Sequence, residues 1–254
     1  MVHLSPNNNW IAYAKANPEV RLRLFCFPYA GGSAAVFRDW QNYLPPTIQV
    51  CPVEFPGRGS RLMETPFEDI TSLVEAMVPG IQPLLKVPFA FFGHSLGALV
   101  SFELSCFLRQ KYNKVPVHLF VSGRQAPPIP DPSPMHALSE ANLVSELHRL
   151  GGTPKAVLES SEVIQLLLPM VRADLKIDEI YDYKTSEPFD FPITVFGGLD
   201  DPETTKEGLG AWKEHTIGKF SLQIFPGNHF FINTAQKLVL DSIGTALSTC
   251  NLKN

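Results

Sequence analysis

Short apolar runs alternate along this chain with longer stretches of helical spacing. Arg21 to Phe27 reads as a strand, with Leu22, Leu24 and Cys26 on one face and Phe25 and Phe27 on the other. Ile48 to Glu54, the run starting at Pro88, Val117 to Ser122, Ile193 to Phe196 and Phe220 to Phe225 predict further strands. Between them lie helical patterns: a short one over Ser33 to Tyr43, then Asp69 to Leu85, Leu96 to Tyr112, Thr204 to His215 and a closing one over Thr234 to Leu247. Pro79 is expected to bend or end the second of these early. The alternation predicts an α/β fold, a mostly parallel sheet with helices on both faces.

Arg124 to Tyr183 break the rhythm. A proline-rich stretch, Ala126 to Pro134, leads into two helical patterns, Glu140 to Leu150 and Ser161 to Tyr183, the second interrupted by Pro169. No strand pattern lies between them. Helices inserted between two strands are expected to form a lid over the strand ends, shaping a channel and excluding water. The competing expectation is that they cover an apolar sheet edge. The whole chain, 1–254, is therefore read as one domain with a lid insertion at about 124–185.

Composition narrows the class. Hydrophobic residues make up 44% of the chain and charged ones 18%, enough apolar material for a large core. The net charge of −4 and the lack of any basic run argue against nucleic acid as a partner. No segment approaches the ~20 continuous apolar residues that span a bilayer. Met1 to Trp10 is polar and lacks the layout of a signal peptide, so the cytoplasm is the expected location. Cys26, Cys51, Cys106 and Cys250 show no metal or redox spacing and read as free thiols. A monomer is the expected state.

The chemistry centres on Gly93-His94-Ser95-Leu96-Gly97, a Gly-x-Ser-x-Gly pentapeptide set between a predicted strand and a predicted helix. A serine on so sharp a turn has its hydroxyl exposed above the sheet edge, the geometry of a nucleophile. The bland alternative is chance, because such pentapeptides are common. A serine hydroxyl needs a base, and the base needs a third group to orient it. In this kind of site the chain order is Ser, Asp or Glu, then His. Asp200 and Asp201 follow the Ile193 strand and a glycine turn, and Asp201 is favoured, with Asp200 as a turn residue. His229 follows the last strand and is the expected base. His94 points away from its neighbour Ser95, His118 precedes the acid, and His3, His136, His148 and His215 fall in the tail, a loop and helix surfaces. Backbone N–H groups of Leu96 and of Ala30, in the loop Phe27 to Ser33, are expected to form an oxyanion hole.

Together these residues resemble the stand-alone type II thioesterases of the α/β-hydrolase superfamily, which accompany non-ribosomal peptide and polyketide synthases. The likeness runs from about Arg21 to about Leu247. It is carried by Phe27 to Ser33, Phe55-Pro56-Gly57-Arg58-Gly59-Ser60-Arg61, the pentapeptide, Leu168 to Asp174 with its Arg172-Ala173-Asp174, and Phe225 to Phe231. The resemblance implies the α/β-hydrolase fold, with Ser95 as nucleophile, Asp201 as acid, His229 as base, and Ala30 and Leu96 as oxyanion donors. Tyr29 and Asn228 depart from the family's usual His and Gly, and Tyr29 is expected to alter acyl-chain contacts.

The implied activity is hydrolysis of acyl groups from the phosphopantetheine arms of acyl or peptidyl carrier-protein domains, clearing stalled or misprimed synthases. No cofactor or metal is expected, since the arm belongs to the substrate. Arg58 and Arg61, with Arg124 and Lys155, are candidates for a basic rim that docks an acidic carrier, the alternative being that each is an ordinary solvated charge. A medium-chain acyl-carrier or acyl-CoA thioesterase, a small-molecule carboxylesterase and a non-catalytic binding protein on the same scaffold stand as alternatives.

Overall fold

Six parallel strands form where the apolar runs predict them: β1 Leu22–Phe27, β2 Ile48–Pro52, β3 Phe89–His94, β4 Leu119–Ser122, β5 Ile193–Gly198 and β6 Phe220–Phe225. This computed structural model describes residues 8–14, 17–130, 134–153 and 155–248, so His3, Cys250 and Asp131 to Ser133 lie outside the described residues. The strand order is β2-β1-β3-β4-β5-β6. The chain steps from β1 outward to β2, then crosses back over β1 to begin β3. Loops leaving β1 and β3 therefore diverge, which opens a crevice at their carboxyl ends.

β1 to β4 are buried along their whole length, and both faces of the sheet are covered. Phe25, Phe27, Phe91 and Val121 pack on α1 (Ile70–Ile81) and α2 (Leu96–Tyr112). Leu24, Phe92, Phe120 and Phe196 pack on the other side against α7 (Phe231–Thr234) and α8 (Gln236–Ser248). β6 is the partly exposed edge. Between β4 and β5 the chain carries α3 (Glu140–Leu150), α4 (Lys155–Leu158) and α5 (Ser161–Glu179), which share a small core of their own around Leu143, Ile164, Leu168 and Val171. The one-turn α4 is not foreshadowed by any sequence pattern.

Several predicted helices take a different form. Ser33 to Tyr43 becomes two 3-10 turns, Ala34–Phe37 and Trp40–Tyr43. Ala34, Phe37 and Trp40 are all buried, and within the first turn the 3-10 winding eclipses Ala34 and Phe37, three residues apart. The same spacing in Leu209, Trp212 and His215 follows the short α6 (Lys206–Gly210) with a 3-10 turn over Ala211–His215. His215 is thus buried against Phe102 and Trp212, not on a helix surface as its position suggests. Pro79 and Pro169 both lie inside their helices, although α1 gives way to a 3-10 turn, Gln82–Leu84, two residues after Pro79 and short of the expected Leu85. Each proline is exposed, as are Glu75 and Gln165, the residues whose carbonyls lose a donor, so water can take the missing bond.

Cys26 and Cys51 are buried free thiols and Cys106 is half-buried. Burial pushes the thiols of Cys51 and Cys106 up to about 12 and that of Cys26 well above its ordinary range, so all three are poor nucleophiles. Among the described residues no helix is long and apolar enough to cross a membrane.

Burial also sets a pH response. His118 stacks on Phe120 and shares a hydrogen bond of 2.9 Å between its Nε2 and Thr194 Oγ1. Burial, helped by Lys219, lowers its imidazole from 6.5 to about 4. The unfolded chain then binds the extra proton between those values, so stability falls as pH drops through that window, by up to about 3 kcal/mol. Urea unfolding from pH 7 to 4 should show this slope, and His118→Leu should reduce it, leaving the part due to the buried His94 and His215.

Candidate active site

The turn between β3 and α2 is tighter than any ordinary helix entry. Ser95 has φ 53° and ψ −119°, a conformation that costs a non-glycine residue about 1–3 kcal/mol. Its N–H donates to Ser122 O on β4 at 2.7 Å, which ties the turn to the sheet. The flanking glycines make the turn possible. A Cβ on Gly93 would sit 2.0 Å from Gly97 O, and one on Gly97 would sit 2.1 Å from Phe27 O. Both obstacles are backbone, so neither can move aside. Gly93→Ala is expected to cost on the order of 3 kcal/mol and to displace Ser95. A drop in melting temperature together with loss of serine labelling by a fluorophosphonate would report it. Within Phe91 to Val100, Ser95 is the one residue not fully buried.

His229 and Asp201 meet at the ends of β6 and β5. His229 Nδ1 lies 3.0 and 3.1 Å from the two Asp201 carboxylate oxygens. That carboxylate is itself fixed by the Glu203 N–H at 2.9 Å and the Thr204 hydroxyl at 3.1 Å. With Asp201 as acceptor, Nδ1 carries the proton and Nε2 remains free to accept one. Asp200 is exposed, and its N–H closes the turn onto Gly227 O at 2.9 Å. The structure thus brings Asp201, not Asp200, to the imidazole. Gly123 completes the packing at φ +61°: a Cβ there would fall 2.6 Å from the His94 ring and 3.4 Å from the His229 ring.

The other histidines stand apart. His94 is fully buried, with Nδ1 at 2.9 Å from Ser122 Oγ, and burial and then the nearby His229 hold it well below the ordinary imidazole range. It is a neutral wall beside the site. His136 pairs with Glu179 and His148 is exposed on α3.

Ala30 lies in the loop that follows β1, and Leu96 follows Ser95 after β3. Leu96 opens α2, where the first N–H groups have no partner within the helix. Ala30 lines the same cavity as Ser95 and His229. That cavity holds about 300 Å³, and its far wall is built by Leu147, Leu150, Val157, Leu167 and Val171 of the inserted helices. Tyr29 also lines it, with its ring edge-on to Phe230 at 4.9 Å. Asn228 is exposed, and its side-chain oxygen accepts the Phe230 N–H at 3.0 Å.

The expected basic rim does not exist in the form predicted. Arg58 is only 3% exposed and forms a bidentate ion pair with Asp174 of α5, at 2.6 and 2.7 Å. Arg61 is 8% exposed; it grips Glu64 at 2.5 and 2.9 Å and lies 4.1 Å over the Trp10 ring. Arg124 pairs with Asp178 beneath the inserted helices. Lys155 alone is well exposed, paired with Glu159 one turn along at 3.4 Å. A guanidinium held in a buried fork cannot reach a docking partner. Asp174 is the residue sequence reasoning left without a task, although it stands in a motif already noted. Among the described residues no cluster of His, Cys, Asp and Glu is placed to hold a metal.

An all-parallel sheet, a strained serine between β3 and α2, and a carboxylate–histidine pair after the last two strands define the class: this is an α/β-hydrolase. Within that class the chain belongs to the thioesterase family, whose domain model matches residues 22–247. It is similar to the gramicidin S biosynthesis protein GrsT of Aneurinibacillus migulanus, with 47% identity over 91% of each chain. Among solved structures it is similar to RedJ, a thioesterase of the prodiginine biosynthetic pathway in Streptomyces coelicolor. The match has 39% identity and a TM-score of 0.86, covering 92% of this chain and 94% of RedJ. It is also similar to BorB, a type II thioesterase from the borrelidin biosynthetic cluster. There identity is 36% and the TM-score 0.86, with 94% of this chain and 98% of BorB covered. The protein is a thioester hydrolase.

Proposed function

We propose that this enzyme removes acyl groups from the phosphopantetheine arms of carrier-protein domains in a modular peptide or polyketide synthase, with Ser95, Asp201 and His229 as its catalytic residues. The observation that carries the reading is the bond from His229 Nδ1 to the Asp201 carboxylate, in a cavity shared with a strained Ser95. GrsT, RedJ and BorB come from gramicidin S, prodiginine and borrelidin biosynthesis, which supports a synthase as the partner. In this reading the enzyme acts as a monomer in the cytoplasm beside its synthase.

The shared cavity and the His229–Asp201 bond support a two-step acyl transfer. The Ser95 hydroxyl attacks the thioester carbonyl while His229 Nε2 takes its proton. Asp201 stabilises the imidazolium that forms. The N–H groups of Ala30 and Leu96 bind the oxyanion. As the tetrahedral intermediate collapses, the carbon–sulfur bond breaks and the pantetheine thiol leaves with the proton from His229. Water, deprotonated by His229, then releases the acid and restores Ser95. The inserted helices act as the lid. They keep bulk water from the acyl-enzyme and give the acyl chain an apolar wall.

Intact-mass measurement of carrier domains loaded with different acyl groups, before and after exposure to the enzyme, tests the reading. Loss of the acyl mass, with a kcat/KM on acyl-carrier well above that on acyl-CoA or p-nitrophenyl esters, is the expected result. A preference for acyl-CoA would favour a medium-chain thioesterase instead, and a preference for simple esters a carboxylesterase.

A further inference from the structure

On the basis of the serine-thioesterase reading above, we infer that the buried Arg58–Asp174 pair is a positioning device: it sets the oxyanion-forming loop and joins that loop to the inserted helix α5. Asp174 Oδ2 accepts the N–H of Gly31 at 2.8 Å, one residue beyond Ala30. Arg58 Nη1 donates to Gly32 O at 3.1 Å while also bonding Asp174. The pair therefore holds a donor and an acceptor of two successive residues beside Ala30. Gly32 N–H is taken by Tyr29 O at 2.8 Å, so neither glycine amide competes for the oxyanion.

The arrangement explains why both charges are needed. A carboxylate accepting several bonds is a strong, directional anchor for a loop. Left alone beside the cavity, its negative charge would oppose a developing oxyanion. The Arg58 fork cancels that charge at 2.6 and 2.7 Å. Arg58 is in turn held by Pro56 O at 3.2 and 3.3 Å and lies over the Phe55 ring. Side chains of α5 close the joint. Val171 sits 3.2 Å from where a Gly31 Cβ would be, and Met170 sits 3.2 Å from where a Gly57 Cβ would be. The loop after β1, the loop after β2 and α5 thus meet at one buried ion pair. A displaced α5 draws the Gly31 anchor with it.

The test compares Asp174→Leu with the double variant Arg58→Met, Asp174→Leu. The double variant leaves no unpaired buried charge, so it tolerates the loss of the pair better than a single change does. Rates are expressed per active site, counted by complete fluorophosphonate labelling of Ser95, so a smaller folded fraction does not enter. Both variants are expected to lose about 30–100-fold in kcat with KM changed less than about threefold, the signature of a misplaced oxyanion donor. Binding of an alkyl trifluoromethyl ketone, which forms an oxyanion on Ser95, should weaken by a similar factor. Binding of a non-hydrolysable thioether of the same chain should not change. A wild-type kcat per labelled site in either variant, or equal weakening of both inhibitors, overturns the inference while the thioesterase reading stands. A wild-type enzyme that is neither labelled at Ser95 nor active on any thioester brings down both.

Discussion

Ser95→Ala is expected to reduce kcat/KM on an acyl-pantetheine thioester by about 10⁵- to 10⁶-fold while leaving the fold intact. The side chain lost is a single hydroxyl that supports no helix cap, and the Ser95 N–H bond to Ser122 O survives the change. Alanine inherits the strained backbone, so stability should stay within about 0.5 kcal/mol of the parent. A residual rate above that of free water is still expected from the oxyanion donors and the apolar cavity. Single-turnover kinetics with an acyl-carrier substrate measure the loss, and mass spectrometry should find acyl-enzyme in the parent and none in the variant. A variant that retains the parent's rate would remove Ser95 from the mechanism altogether.

Asp201→Asn is the second large effect. An asparagine at this place can offer an N–H to His229 Nδ1, which then must accept. The ring proton moves to Nε2, and the nitrogen that should take the Ser95 proton becomes a donor. The expected loss in kcat is about 10⁴-fold, equivalent to about 5.5 kcal/mol in the barrier. The geometry hardly changes, because an amide oxygen can still accept from the Glu203 N–H. Asp200→Asn, one residue away and exposed, should leave kcat within about twofold. Equal losses in the two variants would mean that the carboxylate at Asp201 acts through structure alone.

The strands and the serine turn are legible in the sequence because both depend on local pattern. A strand such as Leu22–Phe27, buried on both faces, has few polar positions to confuse it. Gly93 and Gly97 are needed within four residues of each other, and the pentapeptide displays that need directly. The order of Asp201 and His229 is equally visible, since each follows a strand that places it at the same sheet edge. What stays hidden is pairing across distance. Arg58 and Asp174 are separated by 116 positions, and nothing near either one announces the other. A lone arginine in Pro56-Gly57-Arg58-Gly59 reads as solvated because arginines usually are. The effect of the prolines is hidden for a related reason. Whether Pro79 or Pro169 breaks a helix depends on which face meets water, and that is decided by the tertiary packing.

Helix α5 carries its long-range ion pairs along only half its length, while Ile164 and Leu168 of the first half pack into the core of the inserted helices. Asp174, Asp178 and Glu179 tie its second half to Arg58, to Arg124 and to the segment at Met135 and His136. Its first half carries Val163 and Leu166 to the surface. Pro169 stands at the boundary, where the helix lacks one backbone bond, and a helix bends there at less cost than anywhere else along it. The cavity wall is divided at the same point. Leu147, Val157 and Leu167 belong to the side before the proline, Val171 and Leu175 to the ion-paired side. The wall that borders Gly31 is therefore the one tied by ion pairs to the rest of the fold, and the opposite wall is held by apolar packing.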